Sequence, residues 1–340
     1  MKAILDWIDK SNVPVKDYFG LLAVLLVEIV VFSLWEDTFF SSGTFFAITA
    51  DIPDTVIVAV GMTFMLVIAG IDLSVGSVLA LSQAVLGYCM IEMGMPLILA
   101  VFACLAIGIL CGALSGLVSV RWAIPSFIVT LGMLEIARGA TYFVTQSRTI
   151  YIGQAIEGIS AAIPFLGDLT WPVLICVLIV IAGQLVLSRT VFGRYMIAIG
   201  TNEETVRLSG INPAPIKFTV FVICGFCSAL AGMIQASKMS SASPNAGIGF
   251  ELTVIAAVVI GGTSLMGGRG SVVKSFLGVV IVAILNAGLA QIGAPEYAKR
   301  PIIGIVIILA VVLDSYRHRG SQSGKVALGT LLRKMFYRQS

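Results

Sequence analysis

The chain has 340 residues, of which 58% are hydrophobic and only 11% are charged, and it carries a formal net charge of +3 at pH 7. Soluble domains contain about 25% charged and about 45–50% apolar residues, so this composition excludes an ordinary soluble protein and predicts an integral membrane protein. With one histidine, His318, and six cysteines that all lie in apolar stretches, the chain offers little basis for a metal site or a histidine-dependent catalytic group. We predict no metal, no cofactor, no nucleic-acid partner and no enzymatic activity, and we expect Cys224 and Cys227 to pack in the core.

Residues 1–17 mix lysines with aspartates and contain no signal-peptide cleavage site, so we predict a cytoplasmic N-terminal segment. A transmembrane helix needs about 20 apolar residues. By that rule the chain is predicted to be an all-α polytopic membrane protein with about ten spans, at 18–35, 55–71, 73–91, 97–119, 124–144, 171–188, 217–237, 251–263, 271–291 and 301–315. They define a transmembrane domain at 18–315, which a basic cytoplasmic tail at 316–340 follows.

One or two of these helices are predicted to be broken. Only Gly70-Ile71-Asp72 separates the second span from the third, and the eighth span is short and runs into Gly261-Gly262. Broken helices are tolerated at membrane depth where they line a cavity. The segments at 67–76 and 259–268 also resemble each other, which either a duplicated architecture or a chance likeness of glycine-rich turns explains.

The basic residues predict the orientation of the spans. If the N-terminus is cytoplasmic, sixteen of the 21 basic residues fall in inside segments, four fall in outside segments, and Arg138 lies within a span. Cytoplasmic loops carry the excess of lysine and arginine in membrane proteins. We therefore predict that both termini, and the loop at 189–216, are cytoplasmic.

A polar stretch at 188–217 is predicted to contain an ordered helix. Thr201 and Glu204 have the spacing of a capping box, in which each side chain satisfies a backbone N–H group at the start of a helix. Glu203 and Glu204 then lie near the positive end of the helix dipole.

The same helix has signals for its end. Arg207 lies near the negative end of the dipole, and Gly210 is placed to stop the helix in the left-handed conformation, before Pro213. The result is about two turns of helix. Two interpretations remain open, a solvated loop helix or a docking helix presented to a cytoplasmic partner.

Polar residues within the spans are candidates for a substrate pathway, because such residues are costly in the membrane. Asp72 and Ser74 lie at the first interruption, where Asp72 either bonds exposed backbone N–H groups or contacts a polyhydroxylated substrate. Glu135 and Arg138 are three residues apart, so they either neutralise each other as an ion pair or serve a pathway. Asn286 adds an amide in the ninth span.

The chain lacks a complete nucleotide-binding loop. The segment at 262–269 has glycines at the spacing of a phosphate-binding loop but lacks the lysine and the hydroxyl residue that follow them, and the segment at 320–325 is one residue short. If ATP drives transport, another chain must bind it.

Five motifs in order resemble the permease of bacterial ABC importers for ribose and related monosaccharides, and the resemblance covers about residues 55–314. The motifs are AGIDLSVGS at 69–77, IPSFIVTLG at 124–132, FGR at 192–194 with AIG at 198–200, LSGI at 208–211, and VIGGTSLMGGRGS at 259–271. The family resemblance implies a permease domain in the bacterial cytoplasmic membrane. It also implies partners, namely a cytoplasmic ATPase with two nucleotide-binding domains, an extracytoplasmic sugar-binding protein, a second permease copy and membrane lipid.

In that family the loop that matches 189–216 holds the helix that couples to the ATPase. The resemblance therefore implies coupling roles for Gly193, Arg194, Thr201, Glu203, Glu204, Arg207 and Gly210. This chain departs from the family at Glu204-Thr205-Val206, where members often have a pair of small residues, and the departure bears on which ATPase it pairs with.

The function that these observations predict is the permease subunit of an ATP-driven importer, which moves a monosaccharide by alternating access. Ribose is favoured because the residues of these motifs are nearest to those of the ribose permeases within the family. The alternatives are an ion-coupled secondary sugar transporter, or an importer for another pentose, a hexose or an autoinducer-type polyol.

Overall fold

The computed structural model describes residues 16–163, 169–295, 297–299, 301–302, 304–305 and 308. The predicted segment at 1–17, the tenth span and the tail therefore lie largely or wholly outside the described residues. The described chain is helical apart from two short strands, β1 (Ile150–Tyr151) and β2 (Ser241–Ala242), and a 3-10 helix at Gly153–Ile159. The α-helices are α1 (Lys16–Trp35), α2 (Ser42–Asp51), α3 (Pro53–Val67), α4 (Val75–Ile91), α5 (Leu97–Arg121), α6 (Ser126–Thr145), α7 (Trp171–Arg189), α8 (Val191–Leu208), α9 (Ala214–Met239), α10 (Phe250–Ile260) and α11 (Val272–Gln291).

The helices confirm a polytopic membrane protein. Within the described residues, six helices are long and apolar enough to cross a membrane, or seven if the bent pair α2 and α3 forms one span. Nine of the ten predicted spans coincide with helices, but α3, α4 and α10 have only 15, 17 and 11 helical residues. The count of about ten spans and the orientation of the termini stay predictions.

Helix α9 is the centre of the bundle and packs against α3, α4 and α5. Its closest neighbour is α5, where Gly108 and Gly112 meet the backbone carbonyls of Gly225 and Phe221 so closely that a Cβ on either glycine would not fit. Small residues allow helix backbones to approach each other, which is how helices associate in lipid. The predicted core packing of Cys224 and Cys227 is confirmed, since both thiols are free and buried.

The interruption between α3 and α4 is confirmed, and α6 supplies hydrogen bonds to it. The backbone N–H of Ile71 donates to Ser126 Oγ at 2.9 Å, and that of Leu73 donates to Thr130 Oγ1 at 3.1 Å. Non-helical backbone inside a membrane protein requires such partners, because no water is available there. The second interruption, between α10 and α11, begins at the predicted Gly261.

The strands β1 and β2 pair antiparallel, with Ile150 opposite Ala242 and Tyr151 opposite Ser241. From this pair the chain runs through a non-helical segment at 243–249 into α10. A second compact unit begins at Ala294, and its described residues 297–299, 301–302, 304–305 and 308 are helical.

Candidate functional site

The candidate docking helix is the last part of α8, which begins at a kink at Asn202. Asn202 has an extended backbone (φ −163°, ψ 99°), and its side-chain Oδ1 accepts a hydrogen bond from the Thr205 N–H at 2.9 Å. This is the bond that an N-cap residue makes, and asparagine is among the best caps. The docking helix therefore comprises residues 203–208 and is capped by Asn202.

The predicted capping box of Thr201 and Glu204 is wrong. Helix α8 already runs through the residues before Thr201, so the Thr201 hydroxyl lies within reach of the preceding turn and donates to the Ile197 carbonyl at 2.8 Å. A hydroxyl used in this way does not cap the next helix. The sequence placed the helix start one residue too early, because the long helix before the kink was not predicted.

One ion pair attaches the docking helix to the start of α9, and two more lie within the docking helix. Lys217 Nζ lies 3.0 Å from a carboxylate oxygen of Glu203, while Arg207 lies 3.5 Å from Glu203 and 3.6 Å from Glu204. The pair with Lys217 joins residues 14 positions apart, and no local sequence pattern signalled it. A cavity of about 420 Å³ opens beside these charges and is lined by Arg207, Lys217 and Asn212, among others.

The predicted stop at Gly210 is confirmed. Gly210 has φ 82°, its N–H donates to the Arg207 carbonyl at 3.0 Å, and the Ile211 N–H donates to the Val206 carbonyl at 3.3 Å. These two bonds form a Schellman motif, in which glycine takes the left-handed position without the steric cost of a Cβ. Leu208, the last helical residue, is 80% exposed.

The other two predicted coupling residues lie at the beginning of α8. The Gly193 N–H donates to Thr190 Oγ1 at 3.1 Å, and a Cβ on Gly193 would collide with the carbonyls of Val186 and Leu187 in α7. Gly193 thus allows the tight turn between α7 and α8, whereas Arg194 is exposed.

The two interruptions meet α8 at one junction, just before the docking helix. The Gly268 N–H donates to the Val67 carbonyl at 2.9 Å. Gly200, just before the kink in α8, packs against both the Val67 carbonyl and the Gly268 N–H, with no room for a Cβ. Thr201 lies against Gly268 on the same side. The turn of α8 that directly precedes the docking helix is therefore in contact with the backbone of both interruptions.

Asp72 holds the first interruption together. It is 2% exposed, and its Oδ1 accepts hydrogen bonds from the Ser74 N–H at 2.9 Å and the Ser74 hydroxyl at 2.6 Å. Of the two predicted roles for Asp72, this arrangement matches the satisfaction of exposed backbone N–H groups at the start of α4. Ser74, the residue before the helix, donates both of these bonds and makes no side-chain cap of its own.

Of the two interpretations of Glu135 and Arg138, the ion pair is not formed within the described residues. Arg138 instead donates from one guanidinium nitrogen to the carbonyls of Pro244 at 2.9 Å and Ala246 at 2.8 Å. These carbonyls belong to the non-helical segment at 243–249, which the guanidinium donors of Arg138 reach, whereas Glu135 lies on an exposed part of α6.

Glu135 and Arg138 nevertheless line one cavity of about 240 Å³, together with Ser77, Tyr142 and Glu251. Ser77 and Glu251 were not among the predicted pathway residues; Ser77 directly follows Gly76, and Glu251 lies two residues after Gly249. Asn286 is half-buried on α11 and does not line this cavity. The predicted pathway residues therefore separate into the first interruption, this cavity and α11.

Comparisons with known proteins agree with this architecture. Residues 44–311 match the family described as the branched-chain amino acid transport system / permease component. The chain is 39% identical to the ribose import permease protein RbsC of Haemophilus influenzae, over 86% of this chain and 91% of the relative. It is 34% identical to the fructose import permease protein FrcC of Rhizobium meliloti, over 87% of this chain and 84% of the relative. It is also 34% identical to the xylose transport system permease protein XylH of Escherichia coli strain K12, over 87% of this chain and 91% of the relative.

No solved structure matches the chain. The family match covers well over half of the residues, and its limits enclose the docking helix, both interruptions and the cavity at Glu135. The interrupted helices and the docking helix therefore lie in a permease, and this chain belongs to the branched-chain amino acid transport system / permease component family.

Proposed function

We propose that this chain is the transmembrane permease subunit of an ATP-driven importer in the bacterial inner membrane, which moves a monosaccharide into the cytoplasm by alternating access. Ribose is the first candidate, because relatives that are 39% identical over most of the chain are named as ribose import permeases. Other monosaccharides remain candidates, because two relatives are named as permeases for fructose and xylose. The chain itself is not an enzyme in this proposal, and a partner subunit hydrolyses ATP.

The observation that carries the mechanism is the junction of Gly200, Val67 and Gly268. In this proposal a partner that moves the docking helix also moves the preceding turn of α8, in which Gly200 packs against the backbone of both interruptions. A partner shifts a conformational equilibrium only if it contacts the two states differently. Contact with rigid backbone, rather than with flexible side chains, supports such transmission from the docking helix into the bundle.

The proposed partners are an ATPase with two nucleotide-binding domains, an extracytoplasmic sugar-binding protein and a second permease copy. The mixed charges of Glu204 and Arg207 and the exposed Leu208 give the docking helix both polar and apolar contacts to offer the ATPase. On α6, Glu135 is exposed and lines the cavity of about 240 Å³. An ionised carboxylate is costly in hydrocarbon, so this face adjoins protein or water rather than lipid.

The test is uptake of labelled D-ribose into proteoliposomes that contain this permease, its ATPase and its binding protein, with and without ATP on the ATPase side. Gly210→Pro is the variant, since proline lacks the N–H that Gly210 donates and does not adopt a φ of 82°. Gly210→Asn is the matched control, because asparagine tolerates the left-handed conformation. We expect ATP-dependent uptake that Gly210→Pro abolishes and Gly210→Asn retains, with both variants inserted in the membrane.

Each contrary result identifies the part that is wrong. Uptake without ATP would favour the ion-coupled secondary transporter. ATP-driven uptake that survives Gly210→Pro would remove the docking helix from the mechanism. ATP hydrolysis that the binding protein stimulates, without movement of ribose, would leave the class intact and assign another pentose, a hexose or an autoinducer-type polyol as cargo.

A further inference from the structure

The beginnings of two helices meet inside the bundle, beside the cavity of about 240 Å³. Helix α4 begins at Val75 and α10 begins at Phe250, and Gly76 and Gly247 touch through their backbones so closely that neither position accommodates a Cβ. The first turn of a helix carries N–H groups without intrahelical partners and the positive end of the helix dipole. Two such ends therefore converge next to this cavity.

Ser77 points to a ligand in the cavity. The residue is 1% exposed and lines the cavity, yet its Oγ has no hydrogen-bond partner in the described part of the chain. Buried hydroxyl groups are nearly always hydrogen-bonded, and one without a partner lowers the stability of the fold. A hydroxyl on a bound molecule provides the missing partner.

Two carboxylates supply hydrogen-bond acceptors to the cavity. Glu135 and Glu251 both line it, and neither forms an ion pair among the residues that the structure describes. The Glu251 carboxylate lies 2.7 Å from the place that a Cβ on Gly76 would occupy, so it reaches the start of α4. Free carboxylates accept hydrogen bonds, and hydroxyl groups are suitable donors.

Arg138 fixes one wall of the cavity. Its bonds to the carbonyls of Pro244 and Ala246 attach α6 to the segment before α10, and Tyr142 adds a bond to Asn245 at 3.0 Å. With one arginine and two glutamates, the cavity has formal charges of both signs and no excess that suits an anion. The described residues contain no group of three or more acidic, histidine or cysteine residues able to hold a metal ion. A neutral molecule with several hydroxyl groups fits this combination best.

We propose that this cavity is a sugar subsite on the translocation path, in which Ser77, Glu135 and Glu251 form hydrogen bonds with sugar hydroxyls and Arg138 is a positioning residue. This inference rests on the proposed function and identifies where the cargo is held. The volume suits one small ligand, because pockets for drug-sized molecules are larger, at about 300–1,000 Å³.

The experiment measures sugar moved per ATP hydrolysed by the complete reconstituted importer, with labelled D-ribose, D-xylose and D-fructose as the probes. The variants are Ser77→Ala and Glu135→Gln. The matched control is Ser82→Ala, because Ser82 is also on α4, is also buried and also lacks a hydrogen-bond partner, but does not line the cavity. We expect Ser77→Ala to lower the ratio by about three- to tenfold, the range for loss of a single hydrogen bond, and Ser82→Ala to leave it unchanged.

A second measurement does not depend on transport. Ser77→Cys should react with a small neutral methanethiosulfonate reagent, and the transported sugar should slow the reaction, whereas Ser82→Cys should react no faster than the six buried native cysteines. Equal reaction of the two cysteines, or uptake unaffected by both Ser77→Ala and Glu135→Gln, would overturn the subsite alone. Absence of ATP-dependent uptake of any of the three sugars by the unchanged complex would overturn the proposed function and the subsite together.

Discussion

The backbone N–H of Gly268 donates a hydrogen bond to the carbonyl oxygen of Val67 at 2.9 Å and so joins the two interruptions of the bundle. The two residues are about 200 positions apart in the chain; Val67 is the last residue of α3, and Gly268 lies in the segment between α10 and α11. Gly200 packs on this bond from α8, immediately before the docking helix. In the proposed mechanism, movement of the docking helix reaches both interruptions through this contact.

Gly200→Ala is expected to disrupt this junction. The added methyl group would collide with the Val67 carbonyl, and such overpacking costs about 1–3 kcal/mol. We expect a lower midpoint of thermal unfolding for the solubilised protein and weaker coupling of ATP hydrolysis to uptake. Gly158→Ala is the control, because a Cβ there meets no atom within 4 Å. An unchanged midpoint for Gly200→Ala would show that the junction relaxes easily and does not transmit movement.

Asn202→Ala is expected to loosen the docking helix, because it removes the side-chain oxygen that accepts the Thr205 N–H. Loss of an N-cap costs about 0.5–2 kcal/mol. Hydrogen exchange measured by mass spectrometry should be faster at residues 203–208 in Asn202→Ala and unchanged in Asn202→Asp. Thr201→Ala should leave exchange in this segment nearly unchanged. A larger effect of Thr201→Ala would contradict the Asn202 cap and support the capping box predicted from the sequence.

The ion pair between Glu203 and Lys217 is expected to contribute little to stability. Both side chains are partly exposed, at 36% and 26%, and exposed pairs contribute about 0.2–1 kcal/mol. A double-mutant cycle with Glu203→Gln and Lys217→Met should give a coupling energy in that range, and 1 M salt should remove most of it. A larger coupling energy that resists salt would indicate that the pair is shielded from solvent in the assembled importer.

Asp72→Ala is expected to destabilise the first interruption, since it leaves the buried Ser74 N–H and hydroxyl without their acceptor. An unsatisfied buried polar group costs about 1–3 kcal/mol. Thermal unfolding should show a clear decrease for Asp72→Ala and a smaller one for Asp72→Asn, which keeps an oxygen acceptor. Equal losses in the two variants would mean that the charge of Asp72, rather than its hydrogen bonds, is required.

Local signals in the sequence determined much of the architecture. Long apolar segments predicted the membrane class and the places of nine helices, because burial in lipid demands such segments whatever the tertiary arrangement. Glycines marked both interruptions, and Gly210 marked the end of the docking helix, since a left-handed backbone excludes most other residues. These features depend on a few consecutive residues, which is why the sequence alone contained them.

The tertiary structure decided which residues meet. Arg138 bonds carbonyls 106 and 108 positions away rather than Glu135 three positions away, and Lys217 reaches across to Glu203. The cap moved from Thr201 to Asn202 because the helix before the kink, packed against α7, continues through Thr201. Ser77 and Glu251 share a cavity only because two helices begin at the same place in the bundle. Contacts between residues far apart in the chain depend on packing geometry, and no local pattern specifies them.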